Sequence, residues 1–169
     1  EEIPTDNFVA AGVMLLLFEK EGVYHILFQK RSQEVEHHKG EISFPGGVYD
    51  QDDLNLLATA LRETWEETGI NIKDVTVLGK LSTLETTTNF RIFPFVGFFR
   101  YPYPYKINRS EVDQLIEVPI RHLQNPNTYW TEEHLWTGKP RMEHYYSYHG
   151  HVIFGVTARI LREFLVVIE

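Results

Sequence analysis

The stretch GGVYDQDDLNLLATALRETWEETGI, residues 46–70, decides the fold and the chemistry that this sequence predicts. Its glycine pair marks a sharp backbone turn, because glycine adopts conformations that other residues avoid. Aspartates at positions 50, 52 and 53 offer capping oxygens and N-terminal negative charge to a helix that we expect from about residue 53 to residue 68. Gly69 is the expected stop of that helix. The pattern therefore predicts a glycine turn that leads into a helix.

The expected helix is amphipathic, with an acidic face. Its apolar stripe recurs at helical spacing and consists of Leu54, Leu57, Ala58, Leu61, Trp65 and Thr68. Like charges at Glu63, Glu66 and Glu67 repel one another on the other side, so a counter-charge is expected. A hard divalent cation such as Mg²⁺ or Mn²⁺ supplies one and keeps positions open for water and substrate phosphate. The alternative is a solvated acidic face with no ligand.

Strands are predicted on both sides of this segment, over residues 8–18, 23–28, 75–84 and 92–99. The first two form a hairpin. We also expect a short helix capped by Ser110 before Pro119, a hairpin around His149-Gly150 and a C-terminal helix over residues 155–167. Several strands with a few interspersed helices predict an α/β (α+β) fold built on a mixed sheet.

The composition of the chain limits which classes of function remain possible. The 169 residues argue for a single domain over 1–169. A net charge of −8 disfavours a nucleic-acid partner, and the lack of cysteine excludes disulfides, thiolate zinc sites and cysteine nucleophiles. No apolar run reaches the roughly 18 to 20 residues of a membrane span. We therefore expect a cytoplasmic protein that does not bind membranes, with an upstream targeting segment left open.

The helix segment resembles the Nudix box, in which a glycine, a spacer and Arg-Glu-x-x-Glu-Glu-x-Gly-apolar build a loop-helix-loop metal site for diphosphate hydrolysis. The matching positions are Gly47, Arg62, Glu63, Glu66, Glu67, Gly69 and Ile70. Two departures stand in its first half: the spacer is one residue longer than the general pattern, and Asp53 stands where Glu is usual. Asp53 is therefore expected to cap the helix or to pair with Arg62. The resemblance implies an α/β/α sandwich.

An upstream segment is similar to the coenzyme A diphosphatase branch of that family, which also has the longer spacer. The segment is LFQKRSQEVEHHKGEISFPGG, residues 27–47, and it matches at Arg31, Ser32, Gly40, Phe44, Pro45, Gly46 and Gly47. It departs at Glu36, where the branch has Arg. Residues 86–97, 110–123 and 153–164 also look similar to that branch.

The resemblance implies a role for each matched acidic residue. Glu63, Glu66 and Glu67 would hold Mg²⁺ or Mn²⁺, with the carbonyl oxygen of Gly47 as a further ligand, and Arg62 would orient the carboxylates. The general base is either a box glutamate or Glu111, whose other interpretation is a simple charge in the first turn of a helix.

Basic and aromatic residues are candidates for holding the substrate. The cations best placed by motif to meet phosphates are Lys30, Arg31, Lys39 and Arg91, each of which also has an ordinary role in surface solubility. The aromatic residues available to stack on adenine, or simply to pack, are Trp130, Trp136, Tyr145, Tyr146 and Tyr148.

Three functions follow from the resemblance. The first is hydrolysis of coenzyme A or its derivatives to 3′,5′-ADP and 4′-phosphopantetheine. The second is hydrolysis of ADP-ribose, dinucleotides or nucleoside triphosphates, and Glu36 keeps that alternative open. The third is a non-catalytic binding module, which the retained box glutamates disfavour. The expected partner is a nucleotide-type small molecule, with a homodimer left open.

Overall fold

The computed structural model describes residues 7–34, 38–136 and 138–169. The described part contains eleven strands and three α-helices. The strands are β1 (Val9–Lys20), β2 (Val23–Arg31), β3 (Ile42–Ser43), β4 (Gly46–Val48), β5 (Thr76–Lys80), β6 (Leu84–Glu85), β7 (Phe90–Phe98), β8 (Val112–Pro119), β9 (Tyr129–Trp136), β10 (Lys139–Tyr148) and β11 (His151–Ile153). The helices are α1 (Leu56–Thr68), α2 (Ile120–Leu123) and α3 (Gly155–Val167), with 3₁₀ turns at Ile72–Asp74 and Pro126–Thr128.

Strand β1 lies in the middle of an eight-stranded mixed sheet. It pairs antiparallel with β2 and β4 and parallel with β7. Strands β3 and β8 extend the sheet from β2, whereas β5 and β6 extend it from β7, all antiparallel. The last three strands form a separate small sheet in the order β11-β10-β9. One parallel pair within an otherwise antiparallel sheet confirms the predicted mixed sheet.

Helices cover both faces of the large sheet. Alternate residues of β1 and β2 point to opposite faces. Leu15 and Ile26 pack in a core with α3, whereas Leu16 and Leu27 pack in a second core with α1. Because both faces are covered, β1 is apolar almost throughout rather than alternating. The structure confirms the predicted α/β (α+β) class, with helices on the two sides of a mixed sheet.

Most predicted elements are present, and one is wrong. The first hairpin and the one at His149-Gly150 are confirmed, with positive φ at the turn residues Gly22 and Gly150. The predicted strand at 75–84 is interrupted and gives β5 and β6. The short helix predicted at Ser110 is wrong: that segment leads into β8, because its alternating buried side chains pair against β2. No helix in the described residues is long and apolar enough to cross a bilayer.

Helix α1 begins later and turns a different face inward than its sequence predicts. Asn55, not Asp53, is the N-cap, and its side chain accepts the Ala58 N–H at 2.9 Å. Leu54 is 88% exposed and Trp65 is 52% exposed, so neither belongs to a buried stripe. Glu67, which the sequence places on the acidic face, is only 2% exposed.

Candidate active site

Two glycines fix where α1 lies and where it ends. A Cβ at Gly12 would lie 2.4 Å from the Leu56 carbonyl oxygen, so only glycine in β1 lets the start of the helix approach this closely. Gly69 has φ 78° and donates its N–H to the Trp65 carbonyl, which ends the helix as predicted. The acidic residues of α1 are thereby held against the turn between β3 and β4.

Three carboxylates converge beside this turn. Glu63 and Glu67 come from α1, and Glu111 comes from the segment that precedes β8. One ligand oxygen from each lies within 4.8 Å of the others. Glu63 and Glu111 are partly buried and Glu67 is buried. We refer to Glu63, Glu67 and Glu111 as the carboxylate cluster.

Glu67 is the most deeply buried member of the cluster. Its carboxylate accepts the Gly46 N–H at 3.0 Å. Burial raises the pKa of Glu67 to about 8, although the Gly46 N–H, the nearby Gln29 amide and the Arg31 charge oppose that rise. The Gln29 amide is fully buried and lies close enough to influence Glu67, yet it lies outside hydrogen-bonding geometry with any described residue. Glu67 is therefore costly to ionise until a cation is bound.

Glu63 lies against the backbone of β4. A Cβ at Gly47 would lie 2.5 Å from the Glu63 carboxyl carbon, so the carboxylate occupies the space that any side chain at Gly47 would need. Burial raises the pKa of Glu63, while a hydrogen bond from Arg62 at 2.8 Å opposes the rise. Gly47 lies opposite Gly12 in the ladder between β1 and β4. The role of its carbonyl as a metal ligand stays a prediction.

Arg62 links the cluster to Asp53. Its guanidinium donates two hydrogen bonds to the Asp53 carboxylate, at 2.8 and 2.9 Å, and others to Glu63 and to Glu66. Asp53 also accepts the Thr59 hydroxyl at 2.8 Å. The Arg62 hydrogen bonds lower the pKa of Asp53 to about 2, against the opposing effect of burial. Asp53 is therefore a partner of Arg62 and lies outside the cluster, which is one of the two roles expected from the sequence; the other, the N-cap, belongs to Asn55.

Glu111 reaches the cluster from a segment without helical structure. Its carboxylate accepts the Asn108 side-chain N–H at 3.0 Å, and its carbonyl accepts the Ser32 N–H at 2.8 Å. Because a strand follows, the interpretation of Glu111 as a first-turn helix charge is wrong. The sequence carries no signal for Asn108 or for the Gly46 contact, since both depend on how distant segments meet.

The donor set of the cluster fits a divalent cation. Three hard carboxylate oxygen donors converge within 4.8 Å, and Arg62 is the only cation that hydrogen-bonds to any of them among the described residues. Carboxylate oxygen is the ligand type that Mg²⁺ and Mn²⁺ prefer. Gly47 leaves the space that the Glu63 carboxylate uses. The residues present therefore fit a divalent ion, and the choice of ion stays a prediction.

The other predicted site residues lie at different distances from the cluster. Glu66 is outside it, accepting a hydrogen bond from Arg62 at 3.2 Å. Arg31 lies near Glu67, and its Nε is buried without a hydrogen-bond partner. Lys30 lies 3.9 Å from an Asp113 oxygen, and Arg91 forms an ion pair with Glu85 at 2.7 Å. Lys39 is exposed. The role of these four cations in binding phosphate stays a prediction.

The remaining predictions concern Glu36 and the aromatic residues. Glu36 lies outside the described residues, as does the Trp136 side chain. Tyr146 is 1% exposed and belongs to the core, so it is not available for stacking. Trp130 and Tyr145 stack on each other, with ring centroids 5.2 Å apart.

Comparison with known proteins identifies the domain. A model of the NUDIX domain matches residues 7–136. A protein of Photorhabdus laumondii described as the uncharacterized Nudix hydrolase NudL is 33% identical over 138 residues, which span 82% of this chain and 74% of the relative. A NudL protein of Yersinia pestis is 34% identical over 81% of this chain and 69% of its own length.

Solved structures share the fold at low identity. The crystal structure of a MutT/nudix family protein from Enterococcus faecalis gives a TM-score of 0.62 at 15% identity, covering 99% of this chain and 65% of that one. The binary complex of a C. elegans Ap4A hydrolase gives 0.57 at 16% identity, covering 66% and 80%. At such identities the likeness concerns the fold alone. The domain match and the identity to the NudL proteins go further: the chain belongs to the Nudix hydrolase family.

Proposed function

We propose that this Nudix hydrolase cleaves the diphosphate bond of coenzyme A or its derivatives, giving 3′,5′-ADP and 4′-phosphopantetheine, with Mg²⁺ or Mn²⁺ as cofactor. The observation that carries the proposal is the convergence of Glu63, Glu67 and Glu111 within 4.8 Å. A bound divalent cation neutralises the charge of a diphosphate and activates a water molecule. The coenzyme A branch itself is supported by the contacts of the upstream segment.

The segment that resembles the coenzyme A signature lies against the carboxylate cluster at three places. Gly46 donates its N–H to Glu67, and the Ser32 N–H is donated to the carbonyl of Glu111. Arg31 lies near enough to Glu67 to lower its pKa. Residues that match the branch signature are therefore neighbours of the residues that match the Nudix box. A motif that selects the substrate must lie beside the residues that cleave it, and these two sets of residues meet that condition.

Each acidic residue has a proposed task. Glu63 and Glu67 hold the metal, with Glu66 and the Gly47 carbonyl as further ligands. Arg62 positions these carboxylates, because its guanidinium is itself held by two hydrogen bonds to Asp53. Arg31 is the cation proposed to contact the diphosphate, whereas Lys30, Lys39 and Arg91 have weaker structural support.

Glu111 is the proposed general base. Asn108 donates to its Oε1, which fixes the carboxylate and leaves the second oxygen to accept a proton from water. Glu111 is the one member of the carboxylate cluster that does not come from α1, so its carboxylate faces Glu63 and Glu67. In this position Glu111 accepts the proton of the attacking water, while Glu63 and Glu67 hold the metal ion.

A substrate panel with product identification by mass tests the proposal. Coenzyme A, acetyl coenzyme A, ADP-ribose, diadenosine tetraphosphate and a nucleoside triphosphate are incubated with Mg²⁺, with Mn²⁺ and with EDTA. The expected result is metal-dependent release of 3′,5′-ADP, with the highest kcat/KM for a coenzyme A compound. The Glu67→Gln variant controls for contaminating hydrolases. If another diphosphate is cleaved with a much higher kcat/KM, the branch assignment is wrong.

The alternative function is hydrolysis of ADP-ribose, a dinucleotide or a nucleoside triphosphate. The observation that favours it is Glu36, which stands where the coenzyme A signature has Arg. The same panel distinguishes the two, because only cleavage of a coenzyme A compound yields 4′-phosphopantetheine or its acyl form.

A further inference from the structure

An open groove of about 670 Å³ runs from the carboxylate cluster along the C-terminal end of α1. The residues that matter in its lining are Trp65, Glu66, Tyr103, Lys106, Asn108 and Glu111. Glu111 belongs to the carboxylate cluster, and Glu66 accepts a hydrogen bond from Arg62. One end of the groove is therefore continuous with the proposed metal site.

Backbone hydrogen bonds set the direction of the groove. The Asn108 N–H is donated to the Glu67 carbonyl at 3.0 Å, and the Lys106 N–H to the Thr68 carbonyl at 2.8 Å. Earlier in the same segment, Tyr103 lies beside the 3₁₀ turn that follows α1. Residues 103–111 thus line one wall, from an aromatic ring at the far end to the cluster at the near end.

Two aromatic side chains border the groove in different ways. Trp65 is 52% exposed on α1, although a large apolar side chain on a charged helix is usually turned inward. Tyr103 is held in place, since its hydroxyl donates to Asp74 at 2.6 Å and accepts the Asn71 N–H at 2.9 Å. Both residues line the groove, and the exposed indole of Trp65 offers a flat surface on which a nucleobase can stack.

Among the described residues, Lys106 is the only cation that lines the groove. Its ammonium forms no ion pair with any described residue. The acidic groups that share the lining are already engaged, because Asp74 accepts from Tyr103 and Glu111 accepts from Asn108. An unpaired ammonium in a groove that reaches the proposed metal site suits a phosphate that the metal does not hold.

We propose that this groove binds the nucleotide half of the substrate, with Trp65 stacking on the base and Lys106 binding the phosphate remote from the metal. The inference rests on the proposed function, because in coenzyme A that remote group is the 3′-phosphate. The pantetheine half has no ring to stack and no second phosphate for Lys106. It therefore leaves the active site in another direction.

The test measures binding of the two reaction products to the Mg²⁺-loaded enzyme by calorimetry. Trp65→Ala should weaken the binding of 3′,5′-ADP about tenfold, which is the contribution of one stacked base, and leave the binding of 4′-phosphopantetheine unchanged. Tyr24→Ala is the matched control, because Tyr24 is an aromatic residue of similar exposure, at 54%, and does not line the groove. The proposal is overturned if the control weakens binding of 3′,5′-ADP equally, or if Trp65→Ala weakens binding of 4′-phosphopantetheine alone.

Lys106 is tested by comparing 3′,5′-ADP with AMP, which lacks the 3′-phosphate. Lys106→Gln should weaken the binding of 3′,5′-ADP about tenfold and the binding of AMP much less. It should also reduce the dependence of 3′,5′-ADP binding on salt concentration. Lys73→Gln is the control, because Lys73 lies in the adjacent 3₁₀ turn and does not line the groove. Equal weakening of both nucleotides by Lys106→Gln contradicts its assignment to the 3′-phosphate.

The outcomes separate this inference from the proposed function. If coenzyme A is cleaved and Trp65→Ala binds 3′,5′-ADP normally, the groove assignment fails and the function stands. If coenzyme A is not cleaved but Trp65→Ala selectively weakens a nucleotide, the groove binds nucleotides and the substrate assignment fails.

Discussion

Replacing Glu67 with glutamine should stabilise the metal-free protein at neutral pH while removing its response to metal. The side chain is 2% exposed, and burial raises its pKa from an ordinary value of 4.5 to about 8. An acid with a raised pKa gives its full contribution to stability below the unfolded value and loses it as pH rises through the folded value. The wild-type protein in EDTA should therefore lose stability between pH 4.5 and pH 8.

The size of the effect follows from the same two values. Each pH unit above 4.5 is worth about 1.4 kcal/mol, so at pH 7.5 the penalty reaches about 4 kcal/mol. Relaxation and water entry around a buried charge reduce it, so we expect about 2 to 4 kcal/mol. Glutamine cannot ionise, and its carbonyl oxygen can still accept the Gly46 N–H. The variant should be more stable than wild type by this amount at pH 7.5 and nearly equal at pH 4.5.

Urea unfolding followed by circular dichroism, at several pH values between 4.5 and 8 in EDTA, measures the difference. Glu66→Gln is the control, because it makes the same substitution on the same helix at an exposed rather than a buried side chain. Mg²⁺ at about one hundred times its dissociation constant should then add about 2.7 kcal/mol to wild type and much less to Glu67→Gln. Parallel pH profiles for wild type and Glu67→Gln in EDTA would refute the reasoning.

Three further substitutions test the network around the cluster. Asp53→Asn should lower the free energy of unfolding by about 1 to 2 kcal/mol near neutral pH, because hydrogen bonds from Arg62 lower the pKa of Asp53 to about 2. In urea unfolding, the greater stability of the wild type should disappear as pH falls from 3.8 towards 2. Glu111→Gln should lower kcat about 10² to 10⁴-fold with metal affinity reduced far less, and normal turnover would exclude it as the general base. Gly47→Ala should weaken metal binding at least about tenfold by calorimetry, because the new Cβ would lie 2.5 Å from the Glu63 carboxyl carbon. Gly79→Ala has open space around the new Cβ and should bind metal normally.

Elements with a strong local pattern were predictable from the sequence. Helix α3 has the predicted bounds, and the hairpin at His149-Gly150 is confirmed, because turn residues and helical periodicity are local properties. Strand β8 was missed because its residues also suit a helix, and pairing with β2 decides the outcome. The inward face of α1 was missed for a similar reason: the approach that Gly12 permits determines which residues meet the sheet.

In the candidate site, too, residues within one element could be predicted from the sequence, whereas contacts between distant segments could not. Glu63 and Glu67 could be named from their spacing, since both lie in one helix. Glu111 could be named only as one of several options, because its position depends on a segment that meets α1 from elsewhere in the chain. Helical spacing places Trp65 on the apolar stripe of α1, where such residues usually pack, and only its 52% exposure reveals a free surface.

The hydrogen bonds from the backbone N–H groups of Lys106 and Asn108 to the last carbonyls of α1 join the groove wall to that helix. A helix leaves its final carbonyls without partners of its own, and here a distant segment supplies two of the donors. The distance between the Lys106 backbone and the proposed metal site is consequently set by the helix backbone rather than by the length of the connection at residues 99–105. We expect a change in the length of that connection to leave the spacing between the two proposed phosphate contacts unchanged.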